Sequence, residues 1–266
     1  MLKQISLGRY YPGTSLLHRL DPRAKILLSF FYMVIIFLVQ EPLPMLLLGL
    51  TTLVLMLLSQ VPMRHILGSL KPILFILIFA FVINLLTIKG DELLTVGPVT
   101  ISEQGLETAV RMAIRLMLLI ISTTLFLTLT TTPILVADAI EHLLNPLRRI
   151  GFPAHEMAMM MSIALRFVPT LLEETEKIMK AQSSRGADYD TGGLIAKARG
   201  LVSVLIPLFV SAFKRAEELA IAMEARCYRG GEGRTRLKVM RYTPMDIVFS
   251  CLLAAGCSAI LLVQYL

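Results

Sequence analysis

Five long stretches of the sequence contain almost no charged residues. A helix that crosses a bilayer needs about 20 consecutive, mainly apolar residues. Runs that approach or reach this length occupy Ile26–Gln40, Leu43–Val61, Pro72–Ile88, Met112–Thr131 and Pro244–Leu266. The set AVILMFWYC makes up 56% of the 266 residues and charged residues only 17%, which is too apolar for a soluble core. The sequence therefore predicts an all-α, polytopic membrane protein with about five transmembrane helices.

Arg115 and Asp246 are charged residues inside these stretches, and each lies near one end of a predicted span. A long side chain in such a position reaches the bilayer interface, so we interpret both as boundary charges rather than as an ion path. The other polar residues are small hydroxyl side chains, which usually bond to the helix backbone or join helices, and Asn84, which stays open as a functional residue. This composition argues against a pump or permease that works alone.

Lysine and arginine residues in the short connections orient the chain. Five of them precede the first span: Lys3, Arg9, Arg19, Arg23 and Lys25. Arg64 and Lys71 separate the second span from the third, whereas the next connection, from Lys89 to Arg111, is acidic. Because basic connections stay in the cytoplasm, we predict a cytoplasmic N-terminus and, after five crossings, a C-terminus outside.

The same reasoning divides the chain into three parts. Residues 1–131 hold the N-terminal segment and four spans, residues 132–243 form a cytoplasmic domain, and residues 244–266 form the last span. The cytoplasmic domain contains 16 of the 26 basic residues and 12 of the 19 acidic ones. This mixture favours a salt-bridged surface beside an anionic leaflet, and it argues against nucleic acid as a partner.

Two long amphipathic helices are predicted in the cytoplasmic domain, after a shorter one at Pro133–Ile150. Every seventh residue of the segment Ala154–Ser184, counted from Met157, is apolar until the series reaches Arg185. The segment Leu194–Arg226 shows a 3–4 alternation of apolar residues that also ends on its arginine. Since a seven-residue step drifts by only about 20° on a straight helix, each arginine lies at the C-terminal end of an apolar stripe.

Small residues flank both arginines, as Ser184-Arg185-Gly186 and as Ala225-Arg226-Cys227. In one interpretation the arginines complement helix dipoles, worth up to about 1 kcal/mol each, and Gly186 is a left-handed cap. In the other they dock into a partner, because small neighbours let a partner backbone approach and an arginine fork suits a groove lined by carboxylates or carbonyls. The matched pair favours docking.

Methionines are concentrated at the start of the first long helix, at Met157, Met159, Met160 and Met161. Flexible thioethers fill irregular cores, and they also suit a surface that accepts several partners. Both interpretations stay open at this point.

Sequence signatures of catalysis and of nucleotide binding are missing. There is no GxxxxGK[ST] or GxGxxG motif, and the stretch that begins at His155-Glu156 has Met159 where HExxH requires its second histidine. An intramembrane enzyme needs clustered acids, histidines or a nucleophile facing one cavity, and the sequence suggests no such cluster. We therefore predict a non-catalytic scaffold with no catalytic residue, cofactor or metal site of its own.

The chain resembles the transmembrane coupling subunit, or T component, of energy-coupling factor (ECF) importers, which are ATP-driven micronutrient transporters of the ABC type in prokaryotes. The resemblance covers nearly the whole chain. The segments that carry it, besides the two small-Arg-small signatures, are Gly8-Arg-Tyr-Tyr-Pro-Gly13, Asp21-Pro-Arg-Ala-Lys25, Gly151-Phe-Pro153 and Leu165-Arg-Phe-Val-Pro169. Cys227 departs from the family pattern, which has Gly or Ala at that position.

The resemblance implies two ABC-type ATPase subunits, which would bind ATP and Mg²⁺, and a small substrate-binding membrane protein, the S component, all in the cell membrane. The residues implied in ATPase docking are Ser184, Arg185, Gly186, Ala225, Arg226 and Cys227. The residues implied in contact with the S component are Met157, Met160, Met161, Ala164, Phe167, Leu205, Phe209 and Phe213. Hydrolysis would move the coupling helices, and the S component would topple and release its vitamin inside.

Other readings of the sequence remain. Equivalent subunits of the same family serve cobalt or nickel uptake, and no motif here excludes them. From different classes, a self-contained permease would transport alone, and an intramembrane enzyme would be active alone. The substrate would be selected by the S component, so this chain does not name it.

Overall fold

The structure is a computed structural model that describes residues 10–88, 92–96, 99–146, 153–186, 193–230 and 242–265. Two compact units make up the chain. The membrane unit comprises residues within Gly8–Ala139 and Val239–Leu266, and the helical unit comprises residues within Ile140–Lys238. The predicted division at residues 131 and 243 stays a prediction.

Proline sets the start of the first two long helices in the membrane unit. After a short helix, α1 (Leu16–Arg19), helix α2 (Pro22–Leu38) begins with a proline, and so does α3 (Pro42–Ser59). The first helical position suits proline because its missing N–H has no partner there in any case. The Asp21 carboxylate caps α2 by accepting the N–H of Arg23 at 2.9 Å. Both helices match their predicted spans to within about one turn.

The third predicted span, Pro72–Ile88, follows a sharp bend in the chain. Its apolar run forms α5 (Leu74–Thr87), which is bent by 57° from the short amphipathic helix α4 (Met63–Leu70). Pro72 lies between them, where its ring interrupts the helical hydrogen bonds. At 1.5 Å per residue α5 is about 21 Å long, so it is shorter than the hydrocarbon core of about 30 Å.

The connection after α5 contains a β-hairpin that the sequence did not predict. Strand β1 (Glu92–Val96) pairs antiparallel with β2 (Val99–Ser102). Helix α6 (Glu103–Thr123) follows directly, so the predicted acidic loop from Lys89 to Arg111 is helical in its second half. Among the described residues, this hairpin is the part of the chain whose secondary structure departs from the predicted all-helical one.

The fourth predicted span, Met112–Thr131, changes helix type before it ends. Helix α6 continues as a π-helix over Thr124–Leu129. The hydroxyl groups of Thr130 and Thr131 then donate to the carbonyl of Phe126 at 2.9 and 3.2 Å. A π-helical segment is rare and frequently lies at a functional site.

Three helices in the described part of the chain are each long and apolar enough to cross a bilayer: α3, α6 with its π-helical end, and α10 (Pro244–Tyr265). The bent pair α4–α5 makes a fourth if it counts as one span. Helix α2 has 17 residues and a length of about 26 Å. The predicted all-α, polytopic membrane fold is confirmed, and five spans result when α2 and the bent pair are both counted.

Helices α2 and α10 run in the same direction. At their first residues, the Asp246 carboxylate accepts the N–H of Asp21 at 2.9 Å. At their other ends, the Gln264 side chain accepts the N–H of Gln40 at 3.1 Å and donates to the Leu38 carbonyl at 3.4 Å. Because α2 and α10 are parallel, an odd number of membrane crossings must lie between them in the sequence. The predicted order places three spans between these two helices, which agrees.

Arg115 and Asp246 bond to backbone groups at helix ends, and their interpretation as boundary charges stays a prediction. Arg115 Nη2 donates to the carbonyl of Val39, at the end of α2, at 2.7 Å. The buried Asp246 carboxylate accepts the N–H of Thr243 at 2.7 Å, in addition to that of Asp21. Both charges therefore satisfy backbone groups that helix ends leave unpaired.

Polar side chains within the spans bond to the helix backbone. The buried Tyr32 hydroxyl donates to the Leu48 carbonyl at 2.9 Å, which joins α2 to α3. The Asn84 amide, which the sequence left open as a functional residue, donates to the Ala80 carbonyl of its own helix at 2.8 Å.

The helical unit is built on two helices of more than 30 residues, α8 (Ala154–Ser184) and α9 (Leu194–Ala225). Their observed bounds agree with the predicted ones. Helix α7 (Pro133–Leu144) precedes them along the chain, and its predicted end at Ile150 lies outside the described residues.

Candidate functional site

Arg185 and Arg226 occupy equivalent positions at the ends of α8 and α9. Each follows the last helical residue, with φ −92° and ψ 6° at Arg185 and φ −94° and ψ 13° at Arg226. The N–H of Arg185 donates to the Gln182 carbonyl at 3.0 Å, and that of Arg226 to the Met223 carbonyl at 3.1 Å. The repeat in the sequence is therefore also a repeat in backbone conformation.

The residue after each arginine is left-handed, with φ 86° at Gly186 and 55° at Cys227. The N–H of Cys227 donates to the Glu224 carbonyl at 2.8 Å. The N–H of Tyr228 donates to the Met223 carbonyl at 3.0 Å, which completes a Schellman motif at the end of α9. Glycine adopts this conformation freely, whereas a side chain such as that of Cys227 costs about 1–2 kcal/mol.

Both signatures are open to other molecules. Their six residues are all exposed, namely Ser184, Arg185, Gly186, Ala225, Arg226 and Cys227. Within the described ranges, neither arginine side chain forms an ion pair or a hydrogen bond. Each helix therefore ends in an exposed cation.

A groove of about 620 Å³ lies beside Arg226, between the first turns of α8 and the end of α9. Apolar residues from both helices form its walls, and Arg226 and Arg229 add positive charge. Its lining residues are Met159, Ser162, Ile163, Leu219, Met223 and residues 226–230. This arrangement suits a partner segment that presents a carboxylate next to an apolar side chain.

The residues predicted to contact the S component form exposed apolar faces on α8 and α9. Met160 is 60% exposed, Phe209 58% and Phe213 73%, and the last two rings stack with centroids 6.5 Å apart. Met157, Met161, Ala164 and Leu205 are also exposed. Phe167 is the exception because it is partly buried and lines a second groove between the helices. The methionines at the start of α8 therefore lie largely at the surface, with Met159 lining the groove beside Arg226.

The contact between α8 and α9 uses residues that the sequence identified only in part. Ile163 and Leu171 of α8 face an alanine-rich stretch of α9, at Ala212, Ala216 and Ala220. The four-residue spacing places these alanines on one face of α9. The predicted apolar stripe of α9 is thus divided, since its first half is exposed and its second half faces α8.

An ion pair also joins the two helices. Arg215 Nη2 donates to Glu174 Oε2 at 2.8 Å, with both side chains partly exposed. An exposed pair of this kind contributes about 0–1 kcal/mol, so it fixes the register of the helices more than it stabilises them. Within the same described residues, no three His, Cys, Asp or Glu side chains could hold a metal ion. The absence of a catalytic, cofactor or metal site stays a prediction.

Known proteins resemble this chain over its whole length. A family model described as cobalt transport protein (CbiQ) matches residues 13–237. The energy-coupling factor transporter transmembrane protein EcfT of Ruminiclostridium cellulolyticum is 53% identical over 265 residues, which cover 100% of this chain and 99% of the relative. The chain belongs to the EcfT family. EcfT of Clostridium kluyveri is 49% identical over 264 residues (98% and 97% covered), and EcfT of Bacillus subtilis is 48% identical over 247 residues (92% and 93% covered).

Membership of the EcfT family confirms the resemblance predicted from the sequence. The chain is therefore a multi-pass membrane protein and the transmembrane component of an ECF transporter. The relatives are named as transporter transmembrane proteins, in keeping with a non-catalytic subunit.

Proposed function

We propose that this chain is the scaffold that couples ATP hydrolysis by two ABC-type ATPase subunits to movement of a substrate-binding S component. The observation that carries the proposal is the pair of helix ends, each presenting one exposed arginine in the same backbone conformation. Each of the two equivalent helix ends would bind one of the two ATPase subunits. ATP and Mg²⁺ would be bound by the ATPases and not by this chain.

Docking at these ends has a physical basis. A guanidinium group binds a carboxylate through two parallel hydrogen bonds, and this geometry transmits force better than a single contact. The left-handed residues Gly186 and Cys227 end each helix abruptly, so the chain leaves the arginine accessible. The residues beside the two arginines differ, with Ser184 and Gly186 at one end and Ala225 and Cys227 at the other. This difference is compatible with two different ATPases.

The exposed apolar faces of α8 and α9 support contact with the S component. Soluble surfaces rarely expose contiguous apolar patches larger than a few hundred Å², and Phe209 and Phe213 form part of such a face here. We assign Met157, Met160, Met161, Ala164, Leu205, Phe209 and Phe213 to this contact. Phe167 supports the packing of α8 against α9 instead.

The proposed topology places the N-terminus and the helical unit in the cytoplasm and the C-terminus outside. Its support is the basic residues before α2 and the parallel course of α2 and α10. The N-terminal end of α10 would then lie at the cytoplasmic face, and its last residue, Tyr265, outside.

The imported compound would be a micronutrient chosen by the S component. We propose a vitamin, and a divalent cobalt or nickel ion is the alternative within the family. The matching family model is described as a cobalt transport protein, whereas the names of the relatives specify no substrate. Identification of the S component that the chain binds in the cell would distinguish a vitamin from a cobalt or nickel ion.

Purification from the host tests the proposal. The tagged chain, extracted in mild detergent, should elute with one or two kinds of ATPase and a small hydrophobic protein. Reconstituted in vesicles, this complex should accumulate one compound from a panel of tritiated B vitamins and radiolabelled cobalt(II) when ATP is supplied. Transport or catalysis by the chain alone would contradict the proposal and support a permease or an intramembrane enzyme.

A further inference from the structure

Lys25 is the most deeply buried charged side chain in the described residues, with 1% of its surface exposed. It lies in the first turn of α2, where the chain enters the membrane unit. Burying an ammonium group is costly unless it is fully hydrogen-bonded. A lysine that only oriented the protein by its charge would remain in water, so this burial calls for another explanation.

Three oxygen atoms surround the ammonium group. Lys25 Nζ donates to the Thr130 carbonyl at 2.9 Å, to Thr131 Oγ1 at 3.2 Å and to the His18 carbonyl at 3.5 Å. The carboxylates of Asp21 and Asp246 add electrostatic attraction. An ammonium group has three donors, and each of them has an acceptor here.

Two of these acceptors lie at the end of the fourth span, ahead of α7, α8 and α9 along the chain. Thr130 and Thr131 follow the π-helix directly. The carbonyl of Leu129, one residue earlier, accepts the N–H of Tyr11 at 3.0 Å. We call Tyr11, Lys25, Leu129, Thr130 and Thr131 the exit clasp.

The N-terminal arm that supplies Tyr11 is itself held in place. His18 Nε2 bonds to the Tyr11 carbonyl at 2.9 Å, and His18 Nδ1 bonds to Ser15 Oγ at 2.6 Å. The Tyr11 ring packs on His65 with centroids 5.3 Å apart. The arm therefore holds the Tyr11 N–H in a fixed position at the end of the π-helix.

We propose that Lys25 is a positioning residue for transport, and that the exit clasp fixes the point from which the coupling helices move. This proposal rests on the proposed function. If the last residues of the span were free to shift, the motion that the ATPases impose would be absorbed at residues 129–131. Hydrolysis would then proceed without moving the S component.

The test uses the complete transporter in vesicles, with the vitamin or cobalt(II) probe that the unmodified complex accumulates. Uptake and ATP hydrolysis are measured in the same vesicles, and their ratio is the readout. Lys25→Met should leave hydrolysis within about twofold and lower uptake per ATP at least about tenfold, as expected for the loss of charge-assisted hydrogen bonds. A merely structural role would lower both quantities together, in proportion to the amount of folded complex.

A second variant keeps the test decisive if Lys25→Met yields too little complex. Thr131→Val retains the ammonium group and removes one acceptor, so uptake per ATP should fall in the same direction by about fivefold. The matched controls are Lys71→Met, which removes an exposed lysine, and Thr128→Val, which removes a hydroxyl that Lys25 does not contact. Both controls should keep the normal ratio.

An unchanged ratio in Lys25→Met, or in Thr131→Val where the first variant does not assemble, overturns the role of the clasp. An equal fall in uptake per ATP in Lys71→Met and Thr128→Val would also overturn the role of the clasp. Failure of the proposed function looks different, because the unmodified complex would then contain no ATPases or show no ATP-dependent uptake.

Discussion

The membrane unit and the pair α8–α9 differ in where they bury their side chains. The membrane unit has a continuous core around Tyr32, Leu48 and Phe126. In α8 and α9, the buried apolar side chains among the described residues are Ala158 and Val204. The membrane unit has an apolar core of its own beneath its outward-facing apolar side chains, whereas α8 and α9 leave nearly all of their apolar side chains exposed or partly exposed.

Charged residues follow the same division. The membrane unit uses Lys25, Asp246 and Arg115 to satisfy its own helix ends. The pair α8–α9 instead exposes Arg185 and Arg226 at its helix ends. The comparison indicates that substitutions of buried groups in the first region act mainly on stability, apart from the coupling role proposed for Lys25, and that substitutions of exposed groups in the second region act mainly on assembly.

The largest expected effect concerns the exposed aromatic face of α9. Phe209→Glu combined with Phe213→Glu should abolish binding of the S component, because two charges would enter an apolar contact. The chain itself should stay folded, since both side chains are mainly exposed. Co-purification of the S component and thermal unfolding of the chain in detergent measure the two outcomes.

Ile221→Glu is the matched control for this variant. Ile221 is also exposed, but at 3.6 residues per turn it points about 120° away from Phe209. It should retain the S component. Loss of the S component in the control as well would show that α9 tolerates no new charge, and would remove the argument for a specific face.

A smaller effect, on stability alone, is expected in the membrane unit. Asp246→Ala leaves the buried N–H of Asp21 and the N–H of Thr243 without their charged acceptor, so the free energy of unfolding should fall by about 3 kcal/mol. Glu217→Ala removes an exposed carboxylate of α9 and should change it by less than about 0.5 kcal/mol. Chemical unfolding in detergent compares the two variants, and equal changes would contradict the division between the regions.

The smallest effect distinguishes the two helix ends from each other. Cys227→Gly should stabilise the end of α9 by about 0.5–1 kcal/mol, because the left-handed backbone no longer carries a side chain. Gly186→Ala should destabilise the end of α8 by a similar amount. Cys227→Ala is the control and should be neutral. Hydrogen exchange of the Tyr228 amide reports the change in α9, and slower exchange in the alanine variant would be inconsistent with this explanation.

Features encoded by local periodicity were predicted well from the sequence. The bounds of α3, α8, α9 and α10 follow from runs and repeats of apolar residues, together with proline at the starts of α3, α8 and α10. The equivalence of Arg185 and Arg226 followed from the same repeats. Each of these signals lies within one segment of the chain, so a single sequence contains it.

Features that depend on contacts between distant segments were missed. Lys25 was interpreted as one of several orienting charges, because nothing in its neighbourhood points to Thr130, which is 105 residues away. The hydrogen bonds of Arg115 to Val39 and of Asp246 to Asp21 were missed for the same reason. Nothing in the sequence of Thr124–Leu129 indicates a π-helix. Its polar residues were expected only to form hydrogen bonds with the helix backbone or to join helices.

Charge reversal at both helix ends tests the central claim most directly. Arg185→Glu with Arg226→Glu should strip the ATPases from the purified complex and abolish ATP-dependent uptake. The matched control, Lys177→Glu with Lys214→Glu, makes the same change in charge at exposed positions within α8 and α9, and it should retain both. A double arginine variant that keeps its ATPases and its uptake would contradict the proposed coupling.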